Sequence, residues 1–153
     1  LTYAANWDEY TKIPFWDKLD YIGVDAYFPL SNSKTPSLEQ LREGWEKDKE
    51  KLEALSKKMN KPILFTEFGY RSCDYTAWKP WLVERNDTAM NLQEQANATQ
   101  VIFEEFWKED WFAGGFIWKW FIDHKQSGGG EDNRFTPQNK PTESVIREYY
   151  GKN

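Results

Sequence analysis

The chain has 153 residues and a formal net charge of −5 at neutral pH, with a sequence pI near 5.0. This length is typical of one domain with a sizeable core, and the acidic balance without a Lys/Arg block argues against a nucleic-acid partner. Aromatic residues make up 18% of a sequence whose mean hydropathy is −0.87, which is a weak indication of sugar binding, because apolar sugar faces stack on aromatic rings.

Four short apolar runs, rich in β-branched or aromatic residues and flanked by turn formers, are predicted to be strands. They lie at about residues 1–7, 20–28, 62–69 and 114–121. Each run is nearly continuous in apolar character, as in strands that are covered on both faces. We therefore expect a parallel sheet.

Helical patterns separate these strands. Pro14 opens a short crossover of about two turns, and a long helix begins after Ser37, where Gln40 stands at the reciprocal position of a capping box. A second helix is predicted from about 91 to 108, and a third follows Pro141. Alternating strands and helices predict right-handed crossovers within one α/β domain that spans residues 1–153.

Polar and aromatic side chains gather at the predicted carboxyl ends of the strands. Strict alternation places Glu67 on one face with Ile63 and Phe65, and aligns Phe116 with Trp118 and Trp120. Asn6 and Trp7 close the first strand, and Asp25 and Tyr27 share a face of the second. Because such strand ends meet at one rim, and because long loops follow at 71–90 and 123–136, this rim is the predicted site.

Each of these residues also has a structural interpretation. Alone, Glu67 is more often a salt-bridged group than a catalyst, Asp25 and Tyr27 could simply bind a neighbouring loop, and tryptophans usually belong to a core. The sole histidine, His124, could belong to a Ser-His-Asp site, but no nucleophile-elbow motif supports that chemistry. The glycines at 128–130 lack a phosphate-loop pattern. No ligand cluster predicts a metal, so neither metal nor cofactor is expected.

Three further features concern the compartment of the protein, membrane insertion and whether the chain is part of a longer protein. Cys73 is the single cysteine and cannot form an internal disulfide, so the compartment stays open between extracellular and cytoplasmic. No run approaches the roughly 18 apolar residues of a membrane-spanning helix. The chain begins with Leu1 in an apolar run rather than with a start methionine and a leader, which predicts a piece of something longer.

Five stretches together resemble the C-terminal half of the clan A glycoside hydrolases, most closely the family 113 β-1,4-mannanases with a (β/α)₈ barrel. They are "NWDEY", "FWDKLDYIGVDAYFPL", "KPILFTEFGYRS", "GGFIWKW" and "FTPQNKP". The resemblance covers essentially the whole chain. It implies strands five to eight of a TIM barrel and retaining cleavage of β-1,4-linked mannan-type polysaccharide by two carboxylates.

The resemblance also implies roles for individual residues. Glu67 would be the nucleophile, Tyr27 the group that orients it, and Trp118 the floor of the sugar subsite next to the scissile bond. Further substrate contacts are expected less specifically at Asn6, Trp7, Asp25, Trp78, Trp81 and Trp120.

One departure from the family is large: no Asn-Glu pair, which carries the acid/base glutamate in this clan, occurs in the chain. We therefore expect this piece alone to be inactive. Four strands would leave two open edges and an inner face bearing Phe65, Phe116 and Trp118, so the missing N-terminal half-barrel or a second copy of the chain is the expected partner. The alternatives are a non-catalytic carbohydrate-binding or scaffold module and, more weakly, an open flavodoxin-type sheet.

Overall fold

A computed structural model describes residues 1–83 and 88–151. One parallel sheet contains four strands in chain order, namely β1 (Ala4–Asn6), β2 (Ile22–Asp25), β3 (Ile63–Phe68) and β4 (Phe112–Ile117). The helices are α1 (Leu38–Met59), α2 (Leu92–Phe106) and α3 (Pro141–Tyr150), with short 3₁₀ segments at Tyr10–Lys12, Trp16–Lys18 and His124–Gln126. The predicted α/β fold with a parallel sheet is confirmed. None of the described helices combines the length and the apolar character that crossing a membrane would require.

The helix boundaries follow local sequence chemistry. Ser37 caps α1 by accepting a hydrogen bond from the Gln40 backbone N–H at 3.2 Å, while the Gln40 side chain accepts one from the Ser37 N–H at 2.9 Å. Asn60 ends α1 in the left-handed conformation, with φ at 51°. Asn91 caps α2 through its side chain, and Pro141 occupies the first turn of α3.

The crossover between β1 and β2 differs from the expected short helix. Two 3₁₀ segments flank Pro14, which lies in a turn between them and opens neither. The indole N–H of Trp16 donates to the Tyr10 carbonyl oxygen at 2.8 Å, so the two segments are joined by a buried side chain.

The core lies between one face of the sheet and the helices. Phe65 of β3 is fully buried, with ring centroids 6.2 Å from Trp45, 5.0 Å from Phe106 and 4.8 Å from Phe112. Ile22, Val24 and Ile63 are also fully buried, as are Leu41 and Leu52 of α1. Burial of large aromatic and aliphatic side chains at this layer is the main source of stability.

A register shift in β3 corrects the expected facing of Phe65. Strict alternation placed Phe65 beside Glu67 on the inner face, but the pairing passes from Val24–Phe65 to Asp25–Glu67, so Thr66 is an extra residue. Because of this bulge, Phe65 and Phe68 both pack against the helices, although they are three residues apart. Thr66 and Glu67 therefore lie on the opposite face.

The fourth strand starts and ends earlier than expected. It pairs from Phe112 to Ile117, rather than from about 114 to 121, because β3 offers no partner beyond Phe68. The last backbone contact is the Trp118 N–H donating to the Phe68 carbonyl oxygen at 2.8 Å. Trp118 and Trp120 consequently lie in the segment after the strand, where alternation no longer decides their direction.

Candidate active site

The carboxyl ends of the first three strands bring polar residues into one row. Asn6 pairs with Asp25, and Asp25 pairs with Glu67, so three adjacent strands end in an amide and two carboxylates. In a parallel α/β sheet this edge is where ligands bind. The strand register therefore places Asn6, Asp25 and Glu67 side by side, and we call this edge of the sheet the rim.

Tyr27 and Glu67 form the central contact of this rim. The Tyr27 hydroxyl donates to Glu67 Oε2 at 2.9 Å. Burial, and then the hydrogen bond and charge of Glu67, raise the pKa of Tyr27 well above its usual value, so the phenol stays protonated and remains a donor. Glu67 is half-buried, which leaves its carboxylate both oriented and accessible from the open side.

Two further contacts orient side chains of the rim, one at Asp25 and one at Tyr27. Thr66, the extra residue of the bulge, donates its hydroxyl to Asp25 Oδ1 at 2.8 Å. The ring of Phe135 meets Tyr27 edge-on, with centroids 6.2 Å apart. Asp25 thus has a structural partner in the neighbouring strand β3 rather than in a loop, and it also pairs with Glu67 in the strand register.

Trp118 lies next to the strand that carries Glu67. Its carbonyl oxygen approaches Gly69 so closely that any Cβ there would collide with it, which explains the glycine in the "TEFG" sequence. The indole is 41% exposed and lines a cavity of about 460 Å³ together with Phe135. An exposed indole beside the rim is suited to stacking against a sugar.

The remaining predicted tryptophans occupy different places. Trp7 and Trp81 stack with centroids 5.0 Å apart, which brings the end of β1 next to the loop after β3. Trp78 is 45% exposed and meets Tyr75 edge-on at 6.5 Å.

Trp120 turns away from the Trp118 cavity. It borders a separate cavity of about 270 Å³ with residues of α3, and its ring centroid lies 5.9 Å from that of His124. The Nε2 atom of His124 lies within hydrogen-bond distance, 2.9 Å, of Oε1 of Glu143 in α3. The expected alignment of Trp118 with Trp120 on one face is therefore wrong, because β4 ends before both of them.

The two loops after β3 and β4 are joined by buried polar contacts that the sequence did not reveal. The ammonium of Lys140, fully buried, donates to Ser72 Oγ at 2.9 Å, to the Arg134 carbonyl oxygen at 3.0 Å and to Asp132 Oδ1 at 3.2 Å. Arg71 donates to Asn133 through Nε and Nη2. These contacts hold the segment that carries Phe135 against Tyr27.

Sequence reasoning missed Thr66, Arg71 and Phe135 as parts of the rim. Arg71 and Phe135 lie within the quoted "KPILFTEFGYRS" and "FTPQNKP" stretches, but 64 positions separate them, and only the fold brings them together. Among residues 1–83 and 88–151, no group of three His, Cys, Asp or Glu side chains is arranged to hold a metal ion.

Comparisons with known proteins match this architecture. The sequence profile of Glycoside Hydrolase Family 113 matches residues 1–140. A search of curated proteins finds no match.

Solved structures give the same result at the level of coordinates. A GH113 β-1,4-mannanase, in a structure described as a complex, superposes with a TM-score of 0.81 at 29% identity, covering 99% of this chain and 45% of that one. The GH113 β-mannanase AaManA from Alicyclobacillus acidocaldarius gives 0.78 at 25% identity, covering 98% and 44%. A β-glucuronidase from Faecalibacterium prausnitzii, at 16% identity and a TM-score of 0.61, shares the fold. The chain thus spans less than half the length of the mannanases that it matches.

Proposed function

The chain belongs to glycoside hydrolase family 113, and from this premise we propose that it supplies the nucleophile half of a retaining glycosidase acting on β-1,4-linked mannan-type polysaccharide. The fold is half of the TIM barrel of that family, as the sequence predicted. The observation that carries the proposal is the 2.9 Å hydrogen bond from Tyr27 to a half-buried Glu67 at the carboxyl end of a barrel strand.

In the proposed reaction, Glu67 attacks the anomeric carbon while a second carboxylic acid protonates the departing glycosidic oxygen. The covalent glycosyl-enzyme is then hydrolysed by a water that the second group, now a base, deprotonates. Tyr27 holds the Glu67 oxygen that does not attack, and the Trp118 indole supports the sugar ring. Retention at the anomeric carbon follows from two successive inversions.

The second carboxylate is proposed to come from outside this chain. Retaining enzymes place their two carboxyl groups about 5–5.5 Å apart, and the acid/base glutamate of the clan follows an asparagine. This sequence contains no Asn-Glu pair. We therefore expect the chain alone to bind sugars without cleaving them.

The open sheet supports a complementary half as the partner. β1 and β4 are the edges of the sheet, and Phe116 on β4 is 62% exposed. Unpaired strand edges and exposed aromatic rings favour association with further strands. The missing N-terminal half-barrel would close both edges at once, whereas a second copy of the chain would close them without supplying the Asn-Glu pair.

The test is Glu67→Gln in the full-length protein, with Glu46→Gln on the exposed face of α1 as the matched control. Loss of a covalent nucleophile should lower kcat by on the order of 10⁴-fold, whereas the control should match the wild type. A 2-fluoro-mannoside should label the Glu67 peptide, and product NMR should show retention. Rapid turnover by Glu67→Gln would remove the assignment.

A second candidate function is a non-catalytic carbohydrate-binding module, favoured by the stacked Trp7–Trp81 pair and the exposed Trp118. It predicts oligosaccharide binding that Glu67→Gln leaves unchanged, with no turnover by the full-length protein.

A further inference from the structure

Arg71, three residues after the end of β3, carries a buried charge that has no acidic partner among the described residues. Only 7% of its surface is exposed. Its Nε donates to the Asn133 carbonyl oxygen at 3.2 Å and its Nη2 to Asn133 Oδ1 at 2.9 Å, and both acceptors are neutral. Within the described part of the chain, no carboxylate forms an ion pair with this guanidinium and no acceptor binds its Nη1 group. A buried cation in this state is costly unless an anion joins it.

The neighbouring charges do not neutralise Arg71. Asp132 is paired with Lys140 at 3.2 Å, so the nearby carboxylate already serves another buried cation. Burial is the main cause that lowers the pKa of Lys140, and the positive charge of Arg71 lowers it further. Asp132 therefore compensates Lys140 alone, and among the described residues the charge of Arg71 remains in excess.

This excess faces the cavity of about 460 Å³ beside Trp118. Three cationic residues, Arg71, Lys119 and Arg134, line the cavity, and none of its described lining residues is acidic. Its remaining wall is partly aromatic. The guanidinium of Arg71 lies 5.9 Å from the Phe135 ring centroid, and the Lys119 ammonium lies 5.4 Å from that of Trp118. Cations beside flat apolar surfaces form a site for an anion that is attached to a ring.

We propose that this cavity binds the carboxylate of a uronic acid residue in the glycan, next to the sugar that rests on Trp118. This inference rests on the proposed hydrolase function and narrows its substrate to an acidic mannan-type chain. The planar guanidinium fork matches a carboxylate in a two-bond geometry, and the Nη1 group of Arg71, which binds no acceptor among the described residues, supplies donors. A lone inorganic anion would fill only a small part of this volume and would leave the aromatic wall unused.

The experiment compares two manno-oligosaccharides of equal length, one neutral and one carrying a uronic acid residue. Binding to the full-length protein is measured by titration calorimetry in the Glu67→Gln background, so that neither ligand is consumed. A charge-assisted contact of this kind should favour the acidic ligand by about 10-fold or more. Raising the salt concentration should reduce the preference but not the affinity for the neutral ligand.

Variants locate the preference within the cavity. Arg71→Gln should abolish it, Arg134→Gln should reduce it, and the control Lys57→Gln on α1 should keep it. Arg134→Gln is included because Arg71 also holds Asn133, so that Arg71→Gln could disturb folding, whereas the exposed Arg134 side chain forms no hydrogen bond or ion pair with a described residue.

Equal affinities for the two ligands would overturn the proposal, and so would a preference that survives in both arginine variants. Competition by inorganic phosphate without any preference for the acidic oligosaccharide would also overturn it, because the cavity would then take free anions. None of these results would affect the hydrolase proposal. Conversely, turnover by Glu67→Gln would defeat the nucleophile assignment, whereas an acidic-ligand preference that persists in both arginine variants would defeat the present proposal, so the two failures are distinguishable.

Discussion

The two faces of the sheet differ in how complete they are. On the helix side, Ile63, Phe65 and Phe68 of β3 are all fully buried against α1 and α2. On the other side, Thr66 and Glu67 are half-buried, and Phe116 of β4 is 62% exposed. The helix-facing side of the sheet is therefore packed within the chain, whereas the opposite side, which carries the candidate site, stays open. This separation agrees with a fold that places stability under the helices and chemistry at strand ends.

The largest expected effect is on stability, and it tests the difference in packing between the two faces of the sheet. Phe65→Ala should reduce the free energy of unfolding by about 3–5 kcal/mol, because it leaves a cavity among Trp45, Phe106 and Phe112. Phe116→Ala should cost less than about 1 kcal/mol, since its side chain is mostly in solvent. Urea denaturation of this 153-residue chain is the measurement that checks both values.

A large loss of unfolding free energy for Phe116→Ala would contradict the difference between the two faces of the sheet. It would mean that the inner face is covered in solution, and sedimentation at several protein concentrations would then show whether a second copy covers it. Equal, small costs for both variants would instead show that Phe65 does not belong to a well-packed core.

A smaller effect is expected at the rim, on catalysis rather than on stability. Tyr27→Phe removes the 2.9 Å hydrogen bond to Glu67 and should lower kcat of the full-length protein by about 10–100-fold, since hydrogen bonds to charged groups contribute about 1.5–3 kcal/mol. The control is Tyr21→Phe, at an exposed tyrosine before β2. Steady-state kinetics on a β-1,4-manno-oligosaccharide provide the measurement. A change in KM alone, with kcat unaltered, would show that Tyr27 contacts substrate rather than positioning the nucleophile.

The same division explains how much could be predicted from the sequence. The helical layer is encoded locally: Ser37 and Gln40 specify the start of α1, Asn91 caps α2, and Pro141 begins α3. The family and the half-barrel could be predicted as well, because the strand-end stretches resemble the family in residue type and spacing.

The details of the open layer were less predictable. Alternation assumes one register, and the bulge at Thr66 is decided by pairing with β2 rather than by the residues of β3. β4 ends at Ile117, which pairs with the last residue of β3, Phe68. Trp118 and Trp120 follow the strand and line different cavities. Phe135 contacts Tyr27 from a loop in which the buried Lys140 ammonium binds the Arg134 carbonyl oxygen. These features depend on partners that are distant in the chain.

The smallest expected effect concerns a carboxylate inside the helical layer. Glu94, in the first turn of α2, is 6% exposed, and its Oε2 has no hydrogen-bond partner among the described residues. Burial raises the pKa of Glu94 above the usual 4.5, a hydrogen bond with the Asn97 side chain partly opposes this, and the negative charge of Asp74 adds to the increase. A carboxyl whose pKa is higher in the folded state contributes stability fully at pH values below its unfolded pKa. It loses this contribution as the pH rises through the raised value.

Glu94→Gln should therefore leave stability unchanged near pH 4 and increase it by about 1 kcal/mol at pH 7, flattening the pH dependence between them. Urea midpoints across this range provide the measurement, and Glu50→Gln on the exposed face of α1 should leave the profile unaltered. A loss of stability at pH 7 would show that the Glu94 charge is compensated in solution. The helical layer would then resemble the rim, where the Glu67 carboxylate has a donor in Tyr27, rather than contrast with it.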